Sequence, residues 1–227
     1  MTATEDVSEK REVCEFDRVI MCVNGIMNMV EITQGEHESL IMAGRPDVLS
    51  KITTVVRERV LIIRSEGSWM DKLGFALSTS FTRSTVRYTL TVKDLAGLDL
   101  TGLVHAQLAE LHANDLRLSL KGAGELSVCC LTAQNLDVDL QGMGKIELKG
   151  QVEQQRVTIH GPGHYKAHNL KSQRARVSLK GLARADIWAI DRLDVRVRGL
   201  GHVGVRGTPK IRRDIAPRVP SPTFGPM

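Results

Sequence analysis

The sequence predicts an all-β fold, a right-handed parallel β-helix (a solenoid) with coils of about 20 residues. Three observations favour it: glycines that recur at a nearly constant interval, apolar side chains at every second position around them, and a low aromatic content. Aromatic residues make up 4% of the chain and hydrophobic residues 42%. This balance suits a narrow core of stacked aliphatic side chains.

The glycines set the period of the repeat. The first glycine of each coil is Gly102, Gly122, Gly142, Gly161, Gly181 or Gly199, so the successive intervals are 20, 20, 19, 20 and 18 residues. The position two residues later is occupied by Val104, Gly124, Gly144, Gly163, Ala183 and Gly201. We expect both positions to lie on an inward face where the strand bends, with little room beyond a glycine or an alanine.

Alternating apolar residues predict strands on both sides of the glycines. Residues 116–128, 136–148 and 195–205 each carry an aliphatic residue or glycine at every second position, which is the period of a β-strand. A second inward position recurs at Leu111, Leu131, Leu170 and Ile190. Because so short a repeat cannot also hold a crossover helix, we expect coil to stack on coil. Leucine-rich repeats share the period but do not explain the paired glycines.

The chain divides into one domain with two flanking segments. We predict a flexible N-terminus over 1–13, a single β-helix domain over 14–212 and a proline-rich tail over 213–227. The domain comprises short N-terminal strands over 14–64, a long loop over 65–83 with Trp69, Phe75 and Phe81, and repeat coils over 84–212. Such a loop is either a binding feature on a rigid scaffold or a flap packed over the coils.

Charge and hydropathy limit the function classes. The net charge of +5 permits an acidic partner without requiring one, and no specific nucleic-acid motif is present. No run of about 18 apolar residues predicts a transmembrane segment. The N-terminus shows no apolar stretch typical of a signal peptide, so we expect a cytoplasmic protein if that absence is genuine.

Four features follow one another in a fixed order: a strand from Phe16 to Ile20, a strand that ends at Gln34-Gly35, the glycine pairs, and the segment from Gly207 to Pro209. In this order the chain resembles the head GIN domain of putative autotransporter adhesins over roughly residues 14–212. The resemblance implies a bacterial right-handed β-helix, carried by proteins of the cell envelope or the extracellular space. It implies no established catalytic residues.

Outward positions beside the glycines form two rows, because equivalent residues of stacked coils lie side by side. The pre-glycine row, one residue before the first glycine, is Thr101, Lys121, Gln141, His160, Lys180 and Arg198. The post-glycine row, three residues after it, is His105, Glu125, Lys145, His164, Arg184 and His202. Both rows lean basic. The candidate ligand face is Lys121, Lys145, His160, His164, Lys180, Arg184, Arg198 and His202, with a plain solvated surface as the alternative.

Motifs for metals and cofactors are weak, and we predict neither. His160, His164 and His168 have a helical metal-binding spacing, but Gly161-Pro162-Gly163 prevents a helix there. Gly199 to Gly204 fits G-x-G-x-x-G but precedes VRGTPKI, which cannot form the helix that a dinucleotide needs. The four cysteines match no zinc or redox spacing; Cys14 and Cys22 could pair, but buried free thiols are favoured.

We therefore predict a non-enzymatic scaffold for adhesion or surface binding, whose partner is an anionic polysaccharide or another envelope component. One alternative is an intracellular structural protein that polymerises end to end in the manner of bactofilins, and a homo-oligomer fits either hypothesis. A second alternative is a carbohydrate-active enzyme of pectin-lyase-like architecture. Its carboxylates would be Asp99, Asp137 and Asp139, which give thin support for glycosidic chemistry.

Overall fold

The structure, a computed structural model, describes residues 6–65 and 85–215. Over these ranges the chain consists of strands and one short helix, which confirms the all-β class. The strands are β1 (Val7–Arg11), β2 (Arg18–Gln34), β3 (Ser39–Gly44), β4 (Ile52–Arg57), β5 (Val60–Ser65), β6 (Thr85–Val92), β7 (Gly97–His160), β8 (His164–Gly181), β9 (Arg184–Gly199), β10 (His202–Arg206) and β11 (Lys210–Ile215). The helix α1 (Pro46–Leu49) lies between β3 and β4.

The eleven strands belong to one sheet with different pairing at its two ends. The main path runs β1-β3-β6-β2-β7-β8-β9-β10, with β11 on β9 and the β4–β5 hairpin on β2. Three strand pairs are antiparallel: β1 with β3, β3 with β6, and β4 with β5. The pairs from β2 through β7, β8 and β9 to β10 and β11 are parallel. Only the N-terminal end of the sheet therefore breaks the parallel order.

The parallel strands pair with a register of about one repeat. His164 of β8 lies opposite Lys145 of β7, 19 residues earlier, and opposite Arg184 of β9, 20 residues later. The segments that share the glycine pattern thus stack in their order along the chain. The register between β8 and β9 shifts twice, between Ala167 and Lys171 and between Ser172 and Arg174, and Trp188 lies opposite Lys171. The predicted inward place of Ile190 was wrong for this reason: Leu170 has no partner in β9, Ala189 is the buried residue opposite Ser172, and Ile190 is only half-buried.

Aliphatic side chains from successive repeats stack in registered columns inside the protein. Val157 of β7 lies opposite Val177 of β8, which lies opposite Val195 of β9, and all three are buried. Their neighbours along each strand alternate between buried and exposed, as the period of two predicted. Removal of this apolar surface from water is the main stabilisation of such a narrow core.

The two glycine positions of a repeat have different physical reasons. The first glycine lies at a bend with φ between +105° and +118° in all six repeats, a conformation that L side chains rarely adopt. At Gly122 an added Cβ would also lie 2.5 Å from the carbonyl oxygen of Gly102. These first glycines are half-buried or exposed, so their predicted inward place was wrong. At the second position Val104 and Ala183 are buried, and Gly144, Gly163 and Gly201 have no positive φ, so space is the limit in those repeats; Gly124, with φ +158°, is the exception.

Two buried polar clusters interrupt the apolar core. In the first, Asn28 donates to three backbone carbonyls and accepts a bond of 3.2 Å from the hydroxyl of Tyr88. In the second, Gln155 accepts a bond of 3.0 Å from the Tyr165 hydroxyl and donates one of 2.8 Å to Ser172 Oγ. Burial raises the pKa of both tyrosines, which keeps their hydroxyls protonated as donors.

The N-terminal boundary differs from the prediction. Val7–Arg11 forms β1 rather than a flexible end, because it pairs with β3 and satisfies backbone groups that would otherwise line a sheet edge. The strand predicted from Phe16 to Ile20 and the strand predicted to end at Gln34-Gly35 are joined in one strand, β2, with a register shift between Val23 and Met27. No helix was predicted, yet Pro46 begins α1, as proline can in a first helical turn.

Two other predicted segments fall partly outside the structure. The loop predicted over 65–83, with Trp69, Phe75 and Phe81, lies outside the described residues except for Ser65, the last residue of β5. The predicted tail over 213–227 begins three residues too early, because β11 continues to Ile215. The remainder of the tail lies outside the described residues.

Candidate functional site

The structure places the eight candidate ligand residues in the two predicted rows, on either side of the glycine bend. In the pre-glycine row, His160, Lys180 and Arg198 lie opposite one another in successive strands. In the post-glycine row, Lys145, His164, Arg184 and His202 do the same. The bend therefore separates two strips of side chains that point in different directions.

The post-glycine row is an ion-paired strip. Lys145 pairs with Glu125 in the preceding repeat, and its Nζ lies 3.1 Å from Glu147 Oε2. His164 Nε2 lies 2.9 Å from Asp186 Oδ2, the same oxygen that Arg184 Nε approaches at 3.5 Å. Carboxylates of the protein itself thus occupy three of the four candidate ligand residues in this row, Lys145, His164 and Arg184.

These contacts shift ionisation in the direction expected for paired groups. A hydrogen bond to Glu125, followed by one to Glu147, raises the pKa of Lys145. Burial alone would raise the pKa of Asp186, but the hydrogen bond with His164 and the charge of Arg184 outweigh it and bring the pKa below its ordinary value.

The pre-glycine row continues into a much larger basic surface. The outward residues of β7, β8, β9 and β11 align in four registered columns, which we call the arginine face. Its members are Gln154, Arg174, Arg192 and Lys210; Arg156, Arg176, Asp194 and Arg212; Thr158, Ser178, Arg196 and Asp214; and His160, Lys180 and Arg198. Nine of these side chains are cationic and two are acidic, an excess of seven charges against +5 for the whole chain.

Most cations of the arginine face are available to a ligand. Asp194 approaches Arg192 at 3.1 Å and Arg176 at 3.9 Å, and Asp214 approaches Arg196 at 3.0 Å. The other six have no carboxylate within 4.0 Å among residues 6–65 and 85–215; they are Arg156, Arg174, Lys180, Arg198, Lys210 and Arg212. All nine cationic side chains of the face are exposed.

An open groove runs along the edge of the arginine face. It has a volume of about 640 Å³ and lies where the strands begin after the polar turns. Arginines from several repeats line it, together with Asp115, Asp137 and Asp194. Its cationic members are Arg18, Arg117, Arg156, Arg174, Arg176 and Arg192. Guanidinium groups suit the geometry of carboxylates, sulfates and phosphates, which they bind through two parallel hydrogen bonds.

The weaker motifs do not assemble into chemical sites within the described residues. No three His, Cys, Asp or Glu side chains there lie close enough to hold a metal ion. The segment from Gly199 to Gly204 runs into β10, a strand, where a dinucleotide would need a helix. Asp139 accepts a hydrogen bond of 2.9 Å from Gln141, and Asp137 lines the groove among arginines.

The cysteines differ in part from the prediction. All four are free thiols, as favoured, but Cys14, Cys129 and Cys130 are exposed and Cys22 is half-buried. Cys129 and Cys130 are exposed together because they lie between the buried residues Val128 and Leu131, where the chain turns from one strand segment to the next.

A family model described as "putative auto-transporter adhesin, head GIN domain" matches residues 16–209 of this chain. The chain belongs to the head GIN domain family. This confirms the resemblance drawn from Phe16, Gln34-Gly35, the glycine pairs and Pro209. No curated protein is similar enough in sequence to count as a match.

Several solved structures are similar to this head GIN domain. A putative adhesin from Bacteroides fragilis shares 22% identity and a TM-score of 0.81, with 94% of this chain and 93% of that chain covered. A putative adhesin and a putative lipid binding protein, both from Parabacteroides distasonis, have TM-scores of 0.68 and 0.67 at 17% and 16% identity, with 93% of both chains covered in each case. These likenesses show the fold alone.

Sequence reasoning missed most of the arginine face of this head GIN domain. It read only the outward positions next to the glycines, whereas Arg176 and Arg196 lie farther back along the same strands. Counting back from each first glycine in odd steps gives every outward position of the strand, and that signal was available in the sequence. Among residues 6–65 and 85–215, no helix has the length and apolarity needed to cross a membrane.

Proposed function

We propose that this head GIN domain is a non-enzymatic adhesion module that binds an anionic polysaccharide through the arginine face. The excess of seven positive charges on one side of four adjacent strands carries the proposal. An exposed, registered array of guanidinium groups fits a chain-like partner with repeated carboxylates or sulfates better than a small ligand. In this function the protein acts at the cell envelope or outside the cell, in agreement with the adhesins of its family.

The scaffold for this function is, in our proposal, a right-handed parallel β-helix. Its support is the parallel register of about one repeat between β7, β8 and β9. Crossovers between parallel strands of one sheet are right-handed in about 98% of cases, which favours that hand. A rigid stack of this kind would keep successive residues of each arginine column about 4.8 Å apart.

A three-arginine variant tests the function directly. In Arg156→Gln/Arg174→Gln/Arg198→Gln each lost cation has no carboxylate partner in the described chain, so the fold should tolerate the change. We expect the affinity for polygalacturonate, measured by calorimetric titration, to fall about tenfold or more, because charge-assisted hydrogen bonds contribute about 1.5–3 kcal/mol each. Raised salt should weaken binding of the unmodified protein.

The matched control removes the same charge from the N-terminal strands. Arg57, Arg64 and Arg87 are exposed and lie outside the arginine face, so their change to glutamine should leave polygalacturonate binding within about twofold. Equal losses in both variants would show that net charge alone drives binding and would contradict the proposal. Equal affinity for duplex DNA of the same charge would show a generic polyanion surface.

A second candidate, an assembling scaffold, rests on the C-terminal strands. Val205 of β10 and Ile211 of β11 are exposed at 38% and 43%, beside strands that pair in parallel with β9. The antiparallel strands β1 and β4 at the other end offer no matching parallel edge, which ranks this candidate second. Sedimentation at rising concentration separates the two, since filaments support assembly and a constant small species supports adhesion.

A further inference from the structure

A second exposed surface runs along the glycine bend itself. The residue between the two glycine positions of each repeat is apolar in all six repeats, and we call this row the corner ridge: Leu103, Ala123, Met143, Pro162, Leu182 and Leu200. Met143, Leu182 and Leu200 are exposed at 72%, 64% and 65%, higher than the other large hydrophobic residues that the structure describes as exposed. Exposed apolar side chains in a contiguous row mark a contact surface more often than single ones do.

The backbone of the bend places these side chains in a line. Gly122 approaches Gly102, Gly142 approaches Gly122, and the later first glycines also stack on those of the repeat before. Residues directly after stacked glycines are therefore neighbours, about 4.8 Å apart, and six of them span about 24 Å. In β2, Met27 lies opposite Leu103 and is exposed at 37%, so it extends the row by one repeat.

The ridge projects outward from a bend and so forms an edge with no groove beside it. Its side chains could insert only into a partner that deforms around them. A rigid protein partner would need a matching slot about 24 Å long, whereas the interface of a lipid bilayer accepts apolar side chains along any line.

Cationic side chains flank the ridge on both sides. Leu182 lies between Lys180 and Arg184, Met143 lies two residues before Lys145, and Leu200 lies two residues after Arg198. The two predicted basic rows are therefore the two borders of one apolar line. Apolar residues with cations beside them are typical of proteins that rest on bilayers with anionic lipids, where each cation near the surface adds to the attraction.

We propose that the corner ridge binds the surface of an anionic lipid bilayer. Met143, Leu182 and Leu200 insert into the interfacial region, while Lys180 and Arg198, which have no carboxylate partner among the described residues, contact lipid phosphates. This goes beyond polysaccharide binding, because it requires apolar contacts and uses the edge between the two strips, not the groove lined by Arg156 and Arg174. A bilayer-bound protein would still present the other three columns of the arginine face to a second partner.

Vesicle sedimentation of the full chain tests the proposal. We expect the protein to sediment with vesicles of phosphatidylcholine and phosphatidylglycerol at about 3:1, and not with pure phosphatidylcholine. The variant Met143→Ser/Leu182→Ser/Leu200→Ser should lose about tenfold or more of this binding, since insertion of each side chain removes apolar surface from water. Its affinity for polygalacturonate should stay unchanged.

A matched control removes three exposed apolar side chains elsewhere. Val7, Ile41 and Val55 are exposed at 38–44% on the N-terminal strands, away from the ridge. Their change to serine should leave vesicle binding unchanged. Equal vesicle binding by the ridge variant and the unmodified protein, or an equal loss in the control variant, would overturn the proposal.

A gain-of-signal variant keeps the test valid if the triple variant fails to fold. Leu200→Trp should show a blue shift of emission with anionic vesicles, relative to the unmodified protein, and quenching by brominated lipid. No shift would overturn the proposal. The proposal would also be overturned if the unmodified protein bound no vesicles and formed a dimer that the ridge variant does not form. The ridge would then join two copies of the chain. Vesicle binding without polygalacturonate binding would instead remove the polysaccharide proposal and leave this one standing.

Discussion

The two basic strips beside the glycine bend have similar sequences and different electrostatics. In the post-glycine row, Lys145, His164 and Arg184 each have a carboxylate of the protein within 4.0 Å. On the arginine face, six cations have none among the described residues. A basic residue in a ladder is thus available to a ligand only where no carboxylate of a neighbouring position reaches its side chain. The first strip has its counterions built in, and the second must take them from solution or from a partner.

The largest expected effect comes from the bend that separates the two strips. Gly142 has φ +110°, so Gly142→Val would force a β-branched residue into a strained conformation against the neighbouring repeat. We expect a loss of about 3 kcal/mol or more in the free energy of unfolding, measured with urea. Gly144→Ala is the control and should cost about 1 kcal/mol or less, because Ala183 already fills the equivalent place. Equal losses would show that space, and not backbone conformation, decides both positions.

The next effect concerns the polar cluster beneath both strips. Tyr165 follows His164 of the ion-paired strip, and its hydroxyl donates to Gln155, the neighbour of Arg156 on the arginine face. Tyr165→Phe would leave a buried carbonyl oxygen without its donor, at a cost of about 1–3 kcal/mol in the free energy of unfolding. In a Gln155→Leu background the same change should cost clearly less. Additive losses in this double-mutant cycle would contradict a coupling between the two residues.

The smallest effect tests the ion-paired strip itself. The pKa of Asp186 is lower in the folded protein than in the unfolded chain, so its ionised form stabilises the fold above the ordinary pKa of an aspartate. That contribution is lost as the pH falls through the lowered value. Asp186→Asn should therefore cost about 0.5–1 kcal/mol in the free energy of unfolding at pH 7 and almost nothing well below about pH 3.

The same variant sharpens the comparison between the strips. Asp186→Asn frees His164 and Arg184, and affinity for polygalacturonate should rise by no more than about threefold, since they lie across the bend from the arginine face. A rise as large as the loss in the three-arginine variant would make the strips equivalent as binding surfaces.

The sequence contained most of the information for the strands and little for the contacts between columns. Alternation around Gly122 and Gly142 predicted which side chains are buried, because parity in a strand decides the face. The strand Val7–Arg11 could not be predicted, since its residues lack an apolar pattern and it depends on the edge of β3. The Asp186 pairs were missed because they join residues of neighbouring columns, and such contacts depend on side-chain conformation.

The registered stacking of the arginine columns sets a spacing for any partner. Successive residues of one column lie on neighbouring strands about 4.8 Å apart, so they present charge at a fixed pitch. A polymer whose own anions recur at a commensurate pitch engages several residues of a column at once, and each added contact profits from the high effective concentration of the next. Selectivity would then depend on the interval between charges more than on the chemical identity of the group that bears them.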